Sequence, residues 1–153
     1  MNGEGPFELG TDGPSVILVG VDESVTAWRA ASYSFGLARR QGADVVAVYV
    51  APFSGAGAVG SAGAAIVVAE SEAHEEIAAE LAERAEAAVR ELGISVRFLT
   101  MKGDPYHEIV RVAEETRADA IVVGASLKAG HRLMGSLAIR LVRAGRWPVT
   151  VVP

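Results

Sequence analysis

The hydrophobic positions of this chain fall into short, nearly continuous apolar runs, which alternate with longer amphipathic segments. The run Ser15–Val21 (SVILVGV) has apolar residues at successive positions instead of every second one. Such a run is typical of a strand that is buried on both faces of a sheet. Four further strands are predicted over Val45–Val50, Ile94–Met101, Ala120–Gly124 and Val149–Val152.

The segments between these runs have the periodicity and the end signals of helices. The predicted helices are Val25–Gln41, about Ile66–Leu92, Pro105 to near Thr116, and Ser136–Ala144.

Several residue types mark the ends of these helices. Ser24 or Asp22 can cap the first helix, and Gly42 can end it. Asp104 precedes a proline, so it is expected to be the N-cap of the third helix with the proline at the first helical position. Ser136 is expected to cap the last helix, because its hydroxyl can accept a hydrogen bond from a free N–H group.

The order of elements, β-α-β-α-β-α-β-α-β, predicts a three-layer α/β/α fold around a five-stranded, mainly parallel sheet with right-handed crossovers. Ligands of such sheets bind beyond the carboxyl ends of the strands, where the strand order reverses. The residues to consider therefore lie at the ends of strands one, two and four: Val21 and Asp22, Val50, and Val123 and Gly124.

Length and composition narrow the class of protein. The 153 residues are enough for one domain, expected over 14–153 after a flexible tail at 1–13. The net charge of −5 argues against nucleic acid as a partner, and the absence of cysteine excludes disulfides and thiolate chemistry. No apolar run reaches membrane-spanning length and no signal peptide is evident, so a cytoplasmic protein without membrane contact is expected.

The small-residue segment Pro52–Gly63 is predicted to be mobile, either a lid or a surface loop.

The stretch 120–153 has the layout of a phosphate site. A buried strand leads through a loop with Lys128, His131 and Arg132 to the Gly135-Ser136 step that opens the last helix. The N-terminus of a helix presents free N–H groups and a positive dipole end, where phosphates bind. The alternatives left open are an ordinary helix start and a solvated basic loop.

Catalytic chemistry is not indicated. The three histidines have no metal-ligand spacing, and no nucleophile pattern is present. His74 lies among glutamates and is expected to be solvated, and His107 is expected to be exposed in the first turn of its helix. We therefore expect no enzyme, and any hydrolysis of a bound ligand is expected to be slow.

Several short motifs, in this order, are similar to those of the universal stress protein family: VGVDES at 19–24, Tyr49-Val50, GDP at 103–105, DAIVVGAS at 119–126, Gly135-Ser136 and PVTVV at 148–152. The resemblance covers residues from Ser15 to the C-terminus. It implies a Rossmann-like fold of the adenine nucleotide α-hydrolase kind. It also implies a stress-response regulator or sensor that binds ATP or a related adenine nucleotide, often with a divalent metal such as Mg²⁺.

The resemblance also implies roles for individual residues. Asp22 would hold the ribose or the adenine edge, Val50 would lie against the base, and Gly124, Gly135 and Ser136 would hold phosphate. The complete set of residues expected around the nucleotide is Val21, Asp22, Val50, Val123, Gly124, Ser126, Lys128, Gly130, Arg132, Gly135, Ser136 and Leu137.

The chain departs from the family pattern of Gly, two residues, Gly, nine residues, Gly and Ser or Thr. Leu127 occupies the position of the second glycine, the interval from Gly124 to Gly135 is two residues shorter, and Ala138 replaces a frequent hydroxyl residue. Leucine makes a close backbone approach to a ligand costly. The alternative is therefore a universal stress domain that has lost nucleotide binding and acts as a protein-interaction module. A related synthetase would need an SGGxDS-type loop after the first strand, where this chain has VDESVT.

The last strand suggests a partner. Val149–Val152 is short and apolar, and an unpaired edge strand of this kind promotes association. Trp147 just before it suits either the core or an interface. The resemblance implies a homodimer formed by antiparallel pairing of this strand.

The basic loop leads to a testable hypothesis: Lys128 and Arg132 compensate for the missing glycine by binding phosphate. Replacing both by alanine is then expected to weaken ATP binding at least about tenfold in calorimetric titration, because two charge-assisted contacts are lost. An unchanged affinity would exclude this compensation.

Overall fold

A computed structural model describes residues 13–53, 60–126 and 135–153. Nine elements alternate along these ranges. The strands are β1 (Val16–Gly20), β2 (Asp44–Ala51), β3 (Val96–Lys102), β4 (Ala120–Gly124) and β5 (Val149–Val152). The helices are α1 (Val25–Gln41), α2 (Gly60–Leu92), α3 (Pro105–Glu115) and α4 (Ser136–Ala144).

The five strands form one sheet in the order β3-β2-β1-β4-β5, and all neighbouring strands are parallel. The central strand β1 pairs on both sides, with Val19 opposite Ala47 of β2 and Val122 of β4. Ile17, Leu18 and Val19 are fully buried, which explains the continuous apolar run in the sequence. The prediction of a three-layer α/β fold is confirmed, and the sheet is wholly parallel.

Helices cover both faces of the sheet. On one face, Phe35 of α1 and Leu81 of α2 belong to the same cluster of buried side chains as Ile17. On the other face, Ile109 of α3 and Leu141 of α4 belong to a second cluster of buried side chains. Alternate residues of each strand therefore enter two separate hydrophobic layers, as the pleat of a strand requires.

The predicted bounds of α1, β4, α4 and β5 agree with the structure to the residue, whereas the predicted start of α2 does not. α2 begins at Gly60 instead of near Ile66, so part of the predicted loop Pro52–Gly63 is helical. The alanines that follow favour the helix strongly enough to offset the two glycines in its first turn. Residues 54–59 and residues 1–12 of the tail predicted at 1–13 lie outside the described residues. Although α2 is 33 residues long, no helix in the described ranges is apolar over enough of its length to cross a membrane.

Gly124 marks the point where α1 and β4 are closest. A Cβ atom at this position would lie 2.5 Å from the backbone carbonyl carbon of Thr26 and 2.6 Å from the backbone nitrogen of Ala27. Only glycine therefore lets the first turn of α1 rest on the end of β4. The contact is reinforced by the buried Thr26 hydroxyl, which donates a hydrogen bond of 2.7 Å to the carbonyl oxygen of Ala125.

This contact predicts the effect of adding one methyl group. Gly124→Ala is expected to lower the free energy of unfolding by about 1–3 kcal/mol, because backbone atoms must move to relieve the clash. Gly36→Ala is the control: Gly36 lies inside α1 with its nearest neighbour at 3.5 Å. That control should raise stability by roughly 0.5–1 kcal/mol through helix propensity. Urea unfolding measures both, and a Gly124→Ala variant as stable as the wild type would refute the packing argument.

Candidate functional site

A cavity of about 530 Å³ opens at the carboxyl ends of β1, β2 and β4. Its position is the one expected for an open parallel sheet, because the crossover from β1 leads to β2 on one side and the crossover from β4 leads to β5 on the other. Nine of the residues predicted from the sequence line it: Val21, Asp22, Val50, Val123, Gly124, Ser126, Gly135, Ser136 and Leu137. Their role in binding stays a prediction.

The remaining predicted residues, Lys128, Gly130 and Arg132, lie outside the described residues, as does Leu127. Sequence reasoning also missed residues that line the cavity from α1, β2 and α3, among them Thr26, Val48, Pro105 and Ile109. Hydrophobic patterning explains Val48 and Ile109 as core residues, and Pro105 was expected as the first residue of its helix; only the folded topology brings all four to this edge of the sheet.

Three helices begin at the cavity, and two of them are capped by side chains. Ser24 caps α1, since its hydroxyl accepts a hydrogen bond of 3.1 Å from the backbone N–H of Ala27. Asp104 caps α3 and accepts a bond of 3.0 Å from the N–H of His107, as predicted.

The start of α4 differs from the expectation. The N-cap is Gly135, and the prediction of Ser136 as the cap is wrong because the carbonyl of Gly135 already accepts the first helical bond, from Ile139. Ser136 is thus the first helical residue. Within the described ranges, no side chain caps this helix. Among the described residues, then, no side chain accepts from the first-turn N–H groups of α4, which have no partner within the helix itself.

Gly135 has a packing role of its own. A Cβ atom there would lie 2.7 Å from the Cβ of Ser126. The backbone of Gly135 has φ −59° and ψ 162°, which any residue can adopt. Glycine is required here because the residue leading into α4 lies against the end of the loop that follows β4.

The cavity has an apolar wall. Val48, Val123 and Ile109 of this wall are almost fully buried, and Val50 is half-buried. A cavity with an apolar wall and a row of N–H donors suits a ligand that combines a flat apolar group with an anion.

Asp22 is placed to shape the loop after β1. Its Oδ1 atom accepts a hydrogen bond of 2.7 Å from the backbone N–H of Ser24, which is an Asx turn, and Ser24 rather than Asp22 caps α1. The Asp22 residue is exposed at the mouth of the cavity. Its carboxylate is therefore accessible to a polar ligand group.

On the α2 side of the sheet, Tyr49 and His74 form a contact that the sequence did not suggest. The Tyr49 hydroxyl and His74 Nδ1 are 2.9 Å apart, and Tyr49 is only 5% exposed. Burial raises the pKa of Tyr49, and the charges of Glu23 and Asp22 raise it further. The expectation that His74 is solvated is wrong, because α2 brings its half-buried ring onto the phenol.

A cluster at the amino end of α3 joins it to α4. Arg140 Nη1 lies 3.2 Å and 3.3 Å from the two carboxylate oxygens of Asp104, and its guanidinium lies 4.1 Å from the centre of the Tyr106 ring. The hydrogen bond from the His107 N–H lowers the pKa of Asp104, and Arg140 lowers it further. His107 itself is exposed, as expected. In the described ranges, no three acidic or histidine side chains are grouped to hold a metal ion.

Comparison with known proteins identifies the family of this fold. The model of the universal stress protein family matches residues 15–153. The chain belongs to this family. A universal stress protein of Methanocaldococcus jannaschii is 33% identical over 141 residues, which cover 89% of this chain and 80% of that protein.

Solved structures of universal stress proteins share the fold. A family member from Burkholderia pseudomallei is 28% identical, with a TM-score of 0.71 and coverage of 91% of this chain and 96% of that one. Two others are nucleotide complexes. A universal stress protein in complex with cAMP is 24% identical, with a TM-score of 0.64 and coverage of 91% and 96%. One from Archaeoglobus fulgidus in complex with dAMP is 23% identical, with a TM-score of 0.59 and coverage of 90% and 96%.

Proposed function

We propose that this universal stress protein binds ATP, or a related adenine nucleotide, in the cavity at the ends of β1, β2 and β4 and acts as a stress-response sensor or regulator. The observation that carries the proposal is the start of α4, where Ser136 and Leu137 line the cavity without a side-chain cap in the described ranges. Uncapped N–H groups at a helix N-terminus are a binding site for phosphate.

The shape and chemistry of the cavity fit such a ligand. Its volume of about 530 Å³ falls within the range of ~300–1,000 Å³ that is usual for small-molecule sites. The base would lie against Val50 and Val48, the ribose hydroxyls near Asp22, and the phosphates at the start of α4. Mg²⁺ would be bound mainly by the phosphates, as is usual for Mg²⁺ at nucleotide sites. The cAMP and dAMP complexes of two proteins with the same fold support an adenine nucleotide as the ligand.

We propose that the protein has a regulatory role and not a catalytic one. In the described ranges, the polar groups at the cavity are Asp22, Ser24, Thr26, Ser126 and Ser136. Of the two histidines that the structure describes, neither His74 nor His107 lines the cavity, and a serine nucleophile needs such a base. Any ATP hydrolysis would therefore be slow.

We also propose that the protein is a cytoplasmic homodimer. β5 is the edge strand beside β4, and its residues Val149, Val151 and Val152 are only half-buried within one chain. Antiparallel pairing of β5 with a second copy would satisfy the outer hydrogen-bonding groups of this strand and cover these side chains.

One observation favours a second function, a protein-interaction module without nucleotide. Gly124 and Gly135 are both required for packing, against α1 and against Ser126. Their presence is therefore accounted for without a ligand, and they do not by themselves support nucleotide binding.

The test is to denature the purified protein, identify any released ligand by mass spectrometry, and titrate the nucleotide-free protein with Mg-ATP in a calorimeter. We expect an adenine nucleotide in the released fraction and saturable heat on titration. Asp22→Asn keeps an acceptor for the Ser24 N–H and removes the charge, so ATP affinity should fall about tenfold. Asp44→Asn is the control, because Asp44 is exposed at the opposite end of the sheet.

Two results would favour the interaction module instead: no nucleotide released and no heat with Mg-ATP at millimolar concentration. Equal affinities of the Asp22→Asn and Asp44→Asn variants would leave a nucleotide site but remove the role of Asp22.

A further inference from the structure

The helices α3 and α4 are joined by two ion pairs. Arg140, in the middle of α4, pairs with Asp104 at the amino end of α3 and lies over Tyr106. At the carboxyl ends, Arg146, just after α4, pairs with Glu114 and lies over Trp147 at 4.6 Å. The side chains of the first pair are each 43% exposed and those of the second each 48%. The two pairs are thus alike in chemistry and exposure, and differ in location.

Only the first pair borders the cavity. Asp104 directly precedes Pro105, which lines the cavity, and Arg140 lies one helical turn after Ser136, which also lines it. Residues four apart share one face of a helix, so Arg140 and Ser136 lie on the same side of α4. The ion pair therefore joins the two helix starts that form this part of the cavity wall.

We propose that Arg140 is a positioning residue for phosphate. Its ion pair with Asp104 and its stacking over Tyr106 fix the distance between α3 and the first turn of α4. At this distance the N–H groups of the first turn of α4 face the cavity. The inference rests on the proposed nucleotide site. In this role Arg140 fixes the position of α4 and needs no contact of its own with the ligand.

The negative charge of Asp104 allows a positioning role of Arg140 to be distinguished from a direct attraction between Arg140 and the phosphates. If Arg140 acted only as a positive charge near the phosphates, removing the negative charge of Asp104 would strengthen ATP binding. If Asp104 and Arg140 act together to hold α4, removing that charge weakens ATP binding. Asp104→Asn is suited to the comparison, because asparagine caps a helix about as well as aspartate.

The experiment measures the affinities of Mg-ATP and of adenosine for the wild type, Asp104→Asn, Arg140→Gln, the double variant and Arg146→Gln. We expect Asp104→Asn and Arg140→Gln each to weaken ATP binding about two- to fivefold, the size of an exposed ion pair, with adenosine affinity unchanged. The double variant should match the single variants, because both remove one interaction. Arg146→Gln should leave both affinities unchanged, and thermal unfolding checks that all variants are folded.

A second readout needs no nucleotide. The amide of Ile139 donates to the carbonyl of Gly135 and closes the first turn of α4. Its hydrogen exchange in the ligand-free protein should be faster in Asp104→Asn and Arg140→Gln than in the wild type, and unchanged in Arg146→Gln.

The outcomes distinguish a failure of the positioning role of Arg140 from a failure of the proposed nucleotide site. Equal or tighter ATP binding by Asp104→Asn, or an unchanged Ile139 exchange rate in that variant, would overturn the positioning role while leaving the nucleotide site. A wild type that does not bind ATP would overturn the proposed function and the phosphate role with it, whatever the exchange rates show.

Discussion

All five strands of this protein run in the same direction, and the functional arrangement depends on this constraint. A parallel sheet must return the chain to the same edge after every strand, so each crossover helix begins near the carboxyl ends. The starts of α1, α3 and α4 consequently meet at one edge of the sheet, around the ends of β1, β2 and β4. The dipoles of these helix starts therefore concentrate partial positive charge at this edge.

The close approach of α1 to β4 gives this edge its shape. The backbone of Thr26 and Ala27 lies where a side chain of residue 124 would otherwise be, and the Thr26 hydroxyl binds the carbonyl of Ala125. On the other side, the backbone of Gly135 lies against Ser126. Ala125 and Ser126, which follow β4, thus contact the starts of α1 and α4. This packing requires glycine at positions 124 and 135, so the presence of Gly124 and Gly135 is explained with or without a bound nucleotide.

Hydrophobic patterning was sufficient to predict the sheet, because β1, β2 and β4 are buried on both faces. The strand ends, together with the layout of the last helix start and the family resemblance, predicted nine residues that line one cavity. Sequence reasoning failed where a contact joins residues far apart in sequence. Arg140 and Asp104 are 36 residues apart, and Tyr49 and His74 are 25 apart, so no local spacing indicated either pair. The cap of α4 was misassigned by one residue for a different reason: serine is the better cap by propensity, yet the carbonyl of Gly135 accepts the first helical bond.

The central claim is that the start of α4 receives phosphate while the apolar wall receives the base. The most direct test is a nuclear magnetic resonance titration of the labelled protein with Mg-ATP and, separately, with adenosine. The account predicts that both ligands shift the methyl signals of Val48 and Val50, and that only ATP shifts the amide signals of Ser136 and Leu137. Amide signals of Ser136 and Leu137 that do not change at saturating ATP would contradict it.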